Sequence, residues 1–177
     1  MELDEFVKEE LARHDWAALG CGCGDNAEHI PLLFETILTA ETEQELRGYS
    51  IDGHVVWDGD VFACTPPAVG VVMAALSGEP SALARDRLVY ALWRIATAEF
   101  APAEIIEQVR TAVTEGLWPL VRIGLTGRPP VAETVAEVFE CLDVDGERAA
   151  HYRRLLAERA ASRGRRWKSP TPARTRT

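Results

Sequence analysis

The cysteines and histidines carry the most chemistry in this chain. Cys21 and Cys23 are separated by a single glycine within Gly20-Cys21-Gly22-Cys23-Gly24. Paired thiols are first of all metal donors. A zinc site takes four thiolate or imidazole ligands, usually contributed by spaced pairs. Here there is one pair, spaced C-x-C rather than C-x-x-C, and His14, His29, His54 or Cys64 would complete it only if folding brought them near. From spacing alone the expectation is a Gly-rich turn with two small buried residues, and no metal or other cofactor. Cys64 invites a second reading. It precedes a helix start, where a thiol pKa can fall, and His54 lies ten residues upstream as its base. Nucleophilic catalysis also needs an oxyanion pocket, and no motif supplies one. Cys64 is therefore expected to be a small packed residue, and the chain is not expected to be an enzyme.

The carboxylates offer less. Asp58 and Asp60 flank Gly59, and Asp143, Asp145 and Glu147 surround Gly146. A helix-loop-helix calcium site needs oxygen ligands at several defined positions and a closing Glu, which neither segment has. Turn chemistry and helix capping explain these acids. Among Trp16, Trp57, Trp93 and Trp118, Trp57 stands out because it sits in a turn beside two carboxylates. Aromatic rings next to acids can grip a basic peptide through cation–π contacts and ion pairs. Trp57, Asp58, Asp60 and Phe62 are thus the candidate protein-binding residues. The competing reading is that Trp57 and Phe62 plug a gap between structural repeats.

Charge divides the chain. Up to Glu158 there are 12 Lys and Arg against 28 Asp and Glu, a net −16; from Arg159 onward there are 7 basic residues and no acid, a net +7. An acidic body repels nucleic acid, so nucleic acid is expected only at the tail, through Arg163, Arg165, Arg166, Trp167 and Lys168. The tail could equally contact the acidic body of its own or a neighbouring molecule. No run of about 18 uncharged apolar residues exists, so no membrane span or membrane partner is expected. The N-terminus is acidic and amphipathic, unlike a secretory signal, which suggests a cytoplasmic protein with reduced cysteines.

These residues are carried by segments with helical apolar spacing. The pattern predicts helices over Leu3 to His14, Ala27 to Ala40 (capped by Asp25 or Asn26), Glu41 to Val56, Pro66 to Leu76 and Ser81 to Thr97. Further helices follow from Pro102 to Leu125, broken near Gly116 to Pro119, then Val131 to Leu142 and Asp145 to Ser162. Between His54 and Val69 the chain reads as a helix end, a turn at Asp58-Gly59 and a new helix, with Thr65 as N-cap and Pro66 in the first helical position. Gly48 and Gly53 weaken the helix before it. The segment PAVGVVMAAL is apolar on nearly every side and should be buried. Segments 27–40 with 42–56, 65–77 with 81–98, and 102–126 with 131–142 pair at a period of roughly 35–40 residues, as in helical-repeat solenoids.

A resemblance agrees with this. The run DWAALGCGCGDNAEHIPLLFETIL, then HVVWDGDVFACTPPAVGVVMAAL and DRLVYALWRIATA, resembles a family of bacterial HEAT-like repeat proteins. Trp16, Ile30-Pro31, Gly59, Val61, Phe62, Thr65 and Ala68 match its pattern over roughly residues 15 to 126. Trp57-Asp58 stand where His-Gln is usual, and Asp60 replaces a Thr. The resemblance implies an α-solenoid that binds other macromolecules and carries no catalytic role.

The expectation is therefore all-α: a HEAT-like α-solenoid of about three antiparallel helix pairs plus terminal helices. It spans residues 1–158, with a basic, disordered tail over 159–177 of which 159–163 could extend the last helix. The expected function is non-catalytic binding of a basic protein along the concave face, as an immunity, antidote or scaffold protein. The alternatives are a nucleic-acid accessory protein tethered by its tail, and a Cys- or metal-dependent enzyme.

Overall fold

Apolar residues recur every three or four positions along most of the chain, and helices form there. The computed structural model describes residues 3–144 and 146–162. Eight helices occur among them: α1 (Glu5–Ala12), α2 (Ile30–Thr39), α3 (Thr65–Ser77), α4 (Ala82–Ala96), α5 (Ala103–Glu115), α6 (Leu117–Thr126), α7 (Pro129–Cys141) and α8 (Glu147–Ala161). The protein is all-α apart from a two-stranded antiparallel ribbon, β1 (Val56–Trp57) and β2 (Asp60–Val61). None of these helices is long and apolar enough to cross a membrane.

Local chemistry sets several helix ends. The Asp4 carboxylate accepts the Phe6 N–H at 2.8 Å and caps α1. The Ser81 hydroxyl accepts the Ala84 N–H at 3.1 Å and caps α4, as its sequence position predicts. Gly116 ends α5 and begins α6, so the expected break falls there. A Cβ at Gly116 would lie 2.4 Å from the Met73 methyl and 3.1 Å from its Cβ, so glycine lets α3 cross closely here and a larger residue would make Met73 shift.

Helix α3 is the hub. It is buried on nearly all sides and packs against α1, α4, α5 and α6. One row of contacts runs α1, α3, α5–α6, α8; a second runs α2, α4, α7; the rows meet through α3–α4, α6–α7 and α7–α8. Phe34, Phe139, Leu76, Leu88, Leu92, Leu120 and Leu156 fill the space between.

Three expectations are corrected. The segment 41–56 is a chain of turns rather than a helix. Gly48 and Gly53 adopt φ of 83° and 93°, conformations that end a right-handed helix. The Glu41 N–H is taken by the Glu45 carboxylate, and both His54 and Val55 return their N–H groups to the Ile51 carbonyl. The junction after it holds the ribbon, with Asp58 and Gly59 at φ 49° and 89° as the paired left-handed residues of a tight hairpin turn. Finally, the caps shift: His29 rather than Asp25 or Asn26 precedes α2, and Cys64 precedes α3. Thr65 is then the first helical residue, and Pro66 the second. The Thr65 hydroxyl is fully buried; it accepts the Phe62 N–H at 2.9 Å and donates to the Val55 carbonyl at 2.6 Å. That pair of bonds ties the foot of the ribbon to the preceding turn.

Candidate functional site

Two features meet at this junction, and both depend on how the loop before α2 crosses the turn before the ribbon. The loop folds back on itself, with Gly20 bridged to Asn26, the Cys21 N–H on the Asp25 carbonyl and Gly24 at φ 91°. It lies on the His54 turn because the Gly22 N–H donates to the His54 carbonyl at 2.8 Å. A Cβ on Gly22 would stand 2.6 Å from the Phe62 ring and 3.0 Å from the His54 carbonyl, so only glycine permits this approach. His54 itself is held by buried Ile51 and Val55 on either side.

This crossing gathers four donors. Cys21 Sγ lies 3.1 Å from Cys23 Sγ, 3.4 Å from His54 Nδ1 and 3.6 Å from His29 Nε2. Cys23 Sγ is 4.0 Å from His29 Nε2, and the two imidazole nitrogens are 2.8 Å apart. All four atoms fall within 4.8 Å of one another. The turn expected from spacing is there, with Cys21 buried and Cys23 exposed, and folding brings His29, at the foot of α2, and His54, from a distant turn, up to the thiol pair. His14 does not join them; its Nε2 lies 3.6 Å from the Glu10 carboxylate. Burial, reinforced by the neighbouring His29, lowers the His54 pKa. Burial raises the Cys21 thiol.

Cys64 sits beside this cluster without entering it. Its thiol is buried and donates to the His54 carbonyl at 3.6 Å. Burial first, then the Cys21 charge, push its pKa up to about 12. The thiolate that a nucleophile needs is disfavoured there, and the His54 Nδ1 faces Cys21 instead.

The ribbon is the second feature. Val56 and Val61 pair inward and are buried, while Trp57 and Asp60 pair outward. Trp57 is 58% exposed, so it does not plug the core; Phe62 packs partly against it, over Gly22. Sequence reasoning missed Phe100. It is 66% exposed, donates its N–H to the Gly59 carbonyl at 2.9 Å and lays its ring against Gly59. A cleft of about 340 Å³ opens beside it, lined by Asp58, Gly59, Arg94, Thr97, Glu99 and Phe100. Phe100 follows α4, 41 residues from Gly59, so no local signal links it to the turn.

Among the described residues, the other tryptophans make contacts within the fold. The Trp16 indole N–H donates to the Leu11 carbonyl at 2.8 Å, and that of Trp93 donates to Glu137 at 2.6 Å, linking α4 to α7. Trp118 carries the Arg148 guanidinium 5.0 Å above its ring. Asp143 is a turn residue at φ 48°. Asp145 and the tail residues Arg163, Arg165, Arg166, Trp167 and Lys168 lie outside the described residues. In comparisons with protein families, curated proteins and solved structures, the chain matches none.

Proposed function

We propose that this chain is a non-catalytic protein-binding module, built on a HEAT-like stack of helices, that grips a basic partner at the ribbon. The observation that carries the reading is the paired exposure of Trp57 and Phe100 around a turn bearing Asp58 and Asp60, with Glu99 adjoining. Large aromatics left in water beside carboxylates are the composition of a binding hot spot for cationic side chains. The net −16 of residues 1–158 favours encounter with a basic protein. Neutralising a basic effector, as an antidote does, is one use of such a surface.

The repeat reading draws on the helix rows and on three side-chain links, each joining residues 44 apart: Arg87 to Glu43, Trp93 to Glu137, and Arg122 to the Gly78 carbonyl. A recurrent offset of this size is what stacked helical pairs produce.

The test is capture from native lysate with full-length protein, the W57A/D60N double variant and a chain ending at Glu158. Partner binding that survives truncation and is lost in the double variant, with the helical circular dichroism unchanged, supports the ribbon. Binding that survives the double variant but needs residues 159–177, and disappears with nuclease, sinks it in favour of a nucleic-acid tether.

A further inference from the structure

We propose that Cys21, Cys23, His29 and His54 form a closed tetrahedral site for one Zn2+, which fastens the loop before α2 to the turn that carries the ribbon. The proposal stands apart from the protein-binding reading, and either can fail alone.

The donor set is the first argument. Two thiolates and two neutral imidazoles form a borderline-soft set suited to Zn2+, and two thiolates balance its charge. The geometry is the second. Zn–S and Zn–N bonds of about 2.3 and 2.0–2.1 Å give a tetrahedron with edges of about 3.3–3.8 Å. Five of the six edges are 2.8 Å between nitrogens, 3.1 Å between sulfurs and 3.4, 3.6 and 4.0 Å between sulfur and nitrogen, and the sixth, Cys23 Sγ to His54 Nδ1, falls within 4.8 Å. The S–S and N–N edges are shorter than the ideal ones by about half an ångström or slightly more, a gap that side-chain rotation on binding the ion would open.

The backbone is the third. Gly22 has no room for a Cβ, and its N–H is committed to the His54 carbonyl. The loop is therefore pressed onto the His54 turn, and in this position both sulfurs lie within 4.0 Å of an imidazole nitrogen. The Cys64 thiol donates to that same carbonyl and buttresses the ligand-bearing turn from beneath. All four positions are filled by protein, which is the form of a structural rather than a catalytic zinc site. The role follows from the chain between the ligands: residues 41–55 form no helix or strand, and a metal joining His29 to His54 closes that segment.

The experiment uses full-length protein purified through a tag without histidine, with no chelator. Metal is measured by mass spectrometry, and Co2+ is added to protein stripped of metal. The expected result is about one zinc per chain, and visible cobalt bands of a tetrahedral sulfur–nitrogen site. Zinc should fall below about a tenth of an equivalent in C23S and in H29N, and stay at about one in C141S. Cys23 is exposed and free, so its replacement tests the ligand with little disturbance of packing. In the wild type, chelator should raise the alkylation rate of Cys23 roughly tenfold or more while leaving Cys141 unchanged. Three results would overturn the proposal: metal-free protein that takes up no Co2+, full zinc retained in both C23S and H29N, or a Cys21–Cys23 disulfide in freshly isolated protein.

Discussion

At the scale of single residues, Gly22 does the most for the site and has the least side chain with which to do it. Its missing Cβ lets the loop touch the His54 carbonyl and slide beneath the Phe62 ring. Gly22→Ala should force both apart. Overpacking of this kind costs about 1–3 kcal/mol, read as a lower midpoint in urea denaturation. The same variant should lose affinity for metal, because the sulfurs move with the loop. Gly20→Ala, where a Cβ meets nothing within 4 Å, is the control and should stay within about 0.5 kcal/mol of wild type. Equal losses in the two variants would remove the close-approach argument. The Gly-Cys-Gly-Cys-Gly run was legible as a turn in sequence, because glycine between polar residues disfavours helix whatever surrounds it. Its contact with His54 was not, since 31 residues separate Gly22 from His54 and no local rule spans that distance.

At the scale of elements, short-range chemistry decided most of what was readable. Ser81 caps α4 through one hydroxyl bond to Ala84, and Ser81→Ala should cost about 1 kcal/mol, checked by the same denaturation midpoint. A change below about 0.2 kcal/mol would mean that packing of α4 on α3 and α7 sets that end without its cap. The Asp58-Gly59 turn, the burial of α3 and the break at Gly116 were legible for similar reasons: each depends on backbone preference or on a stripe within one segment. The segment 41–56 misled because Leu46, Tyr49 and Ile51 give it a partly apolar stripe, of which Leu46 and Ile51 are buried and Tyr49 is exposed. Burial there serves isolated turns held by Gly48 and Gly53, and apolar spacing cannot separate that from a helix. The ribbon escaped notice because strands of two residues are too short to show alternation.

At the scale of the molecule, charge and shape act together. The acidic body and the outward Asp58 and Asp60 favour cationic partners over a range set by ionic strength. The D58N/D60N variant should slow association with the captured partner and flatten its dependence on salt, with a smaller effect on dissociation; surface plasmon resonance at two ionic strengths measures this. An unchanged salt slope would place the partner elsewhere, for example in the groove of about 680 Å³ between α1 and α5 over α3, where Phe6 is also exposed.

By itself the sequence determined the all-α class, the break at Gly116, the Ser81 cap, the turn at Asp58-Gly59 and the separation of charge. These follow from local backbone energetics, apolar periodicity and a count of ionisable groups. Only the tertiary structure decided that His29 and His54 meet Cys21 and Cys23, and that Phe100 packs on Gly59 in the ribbon turn. Those meetings depend on how α2 packs on α4, how α4 packs on α3, and how the turns between them follow. Docking is a sum of many small packing terms spread over the chain, and no single motif in it records the outcome.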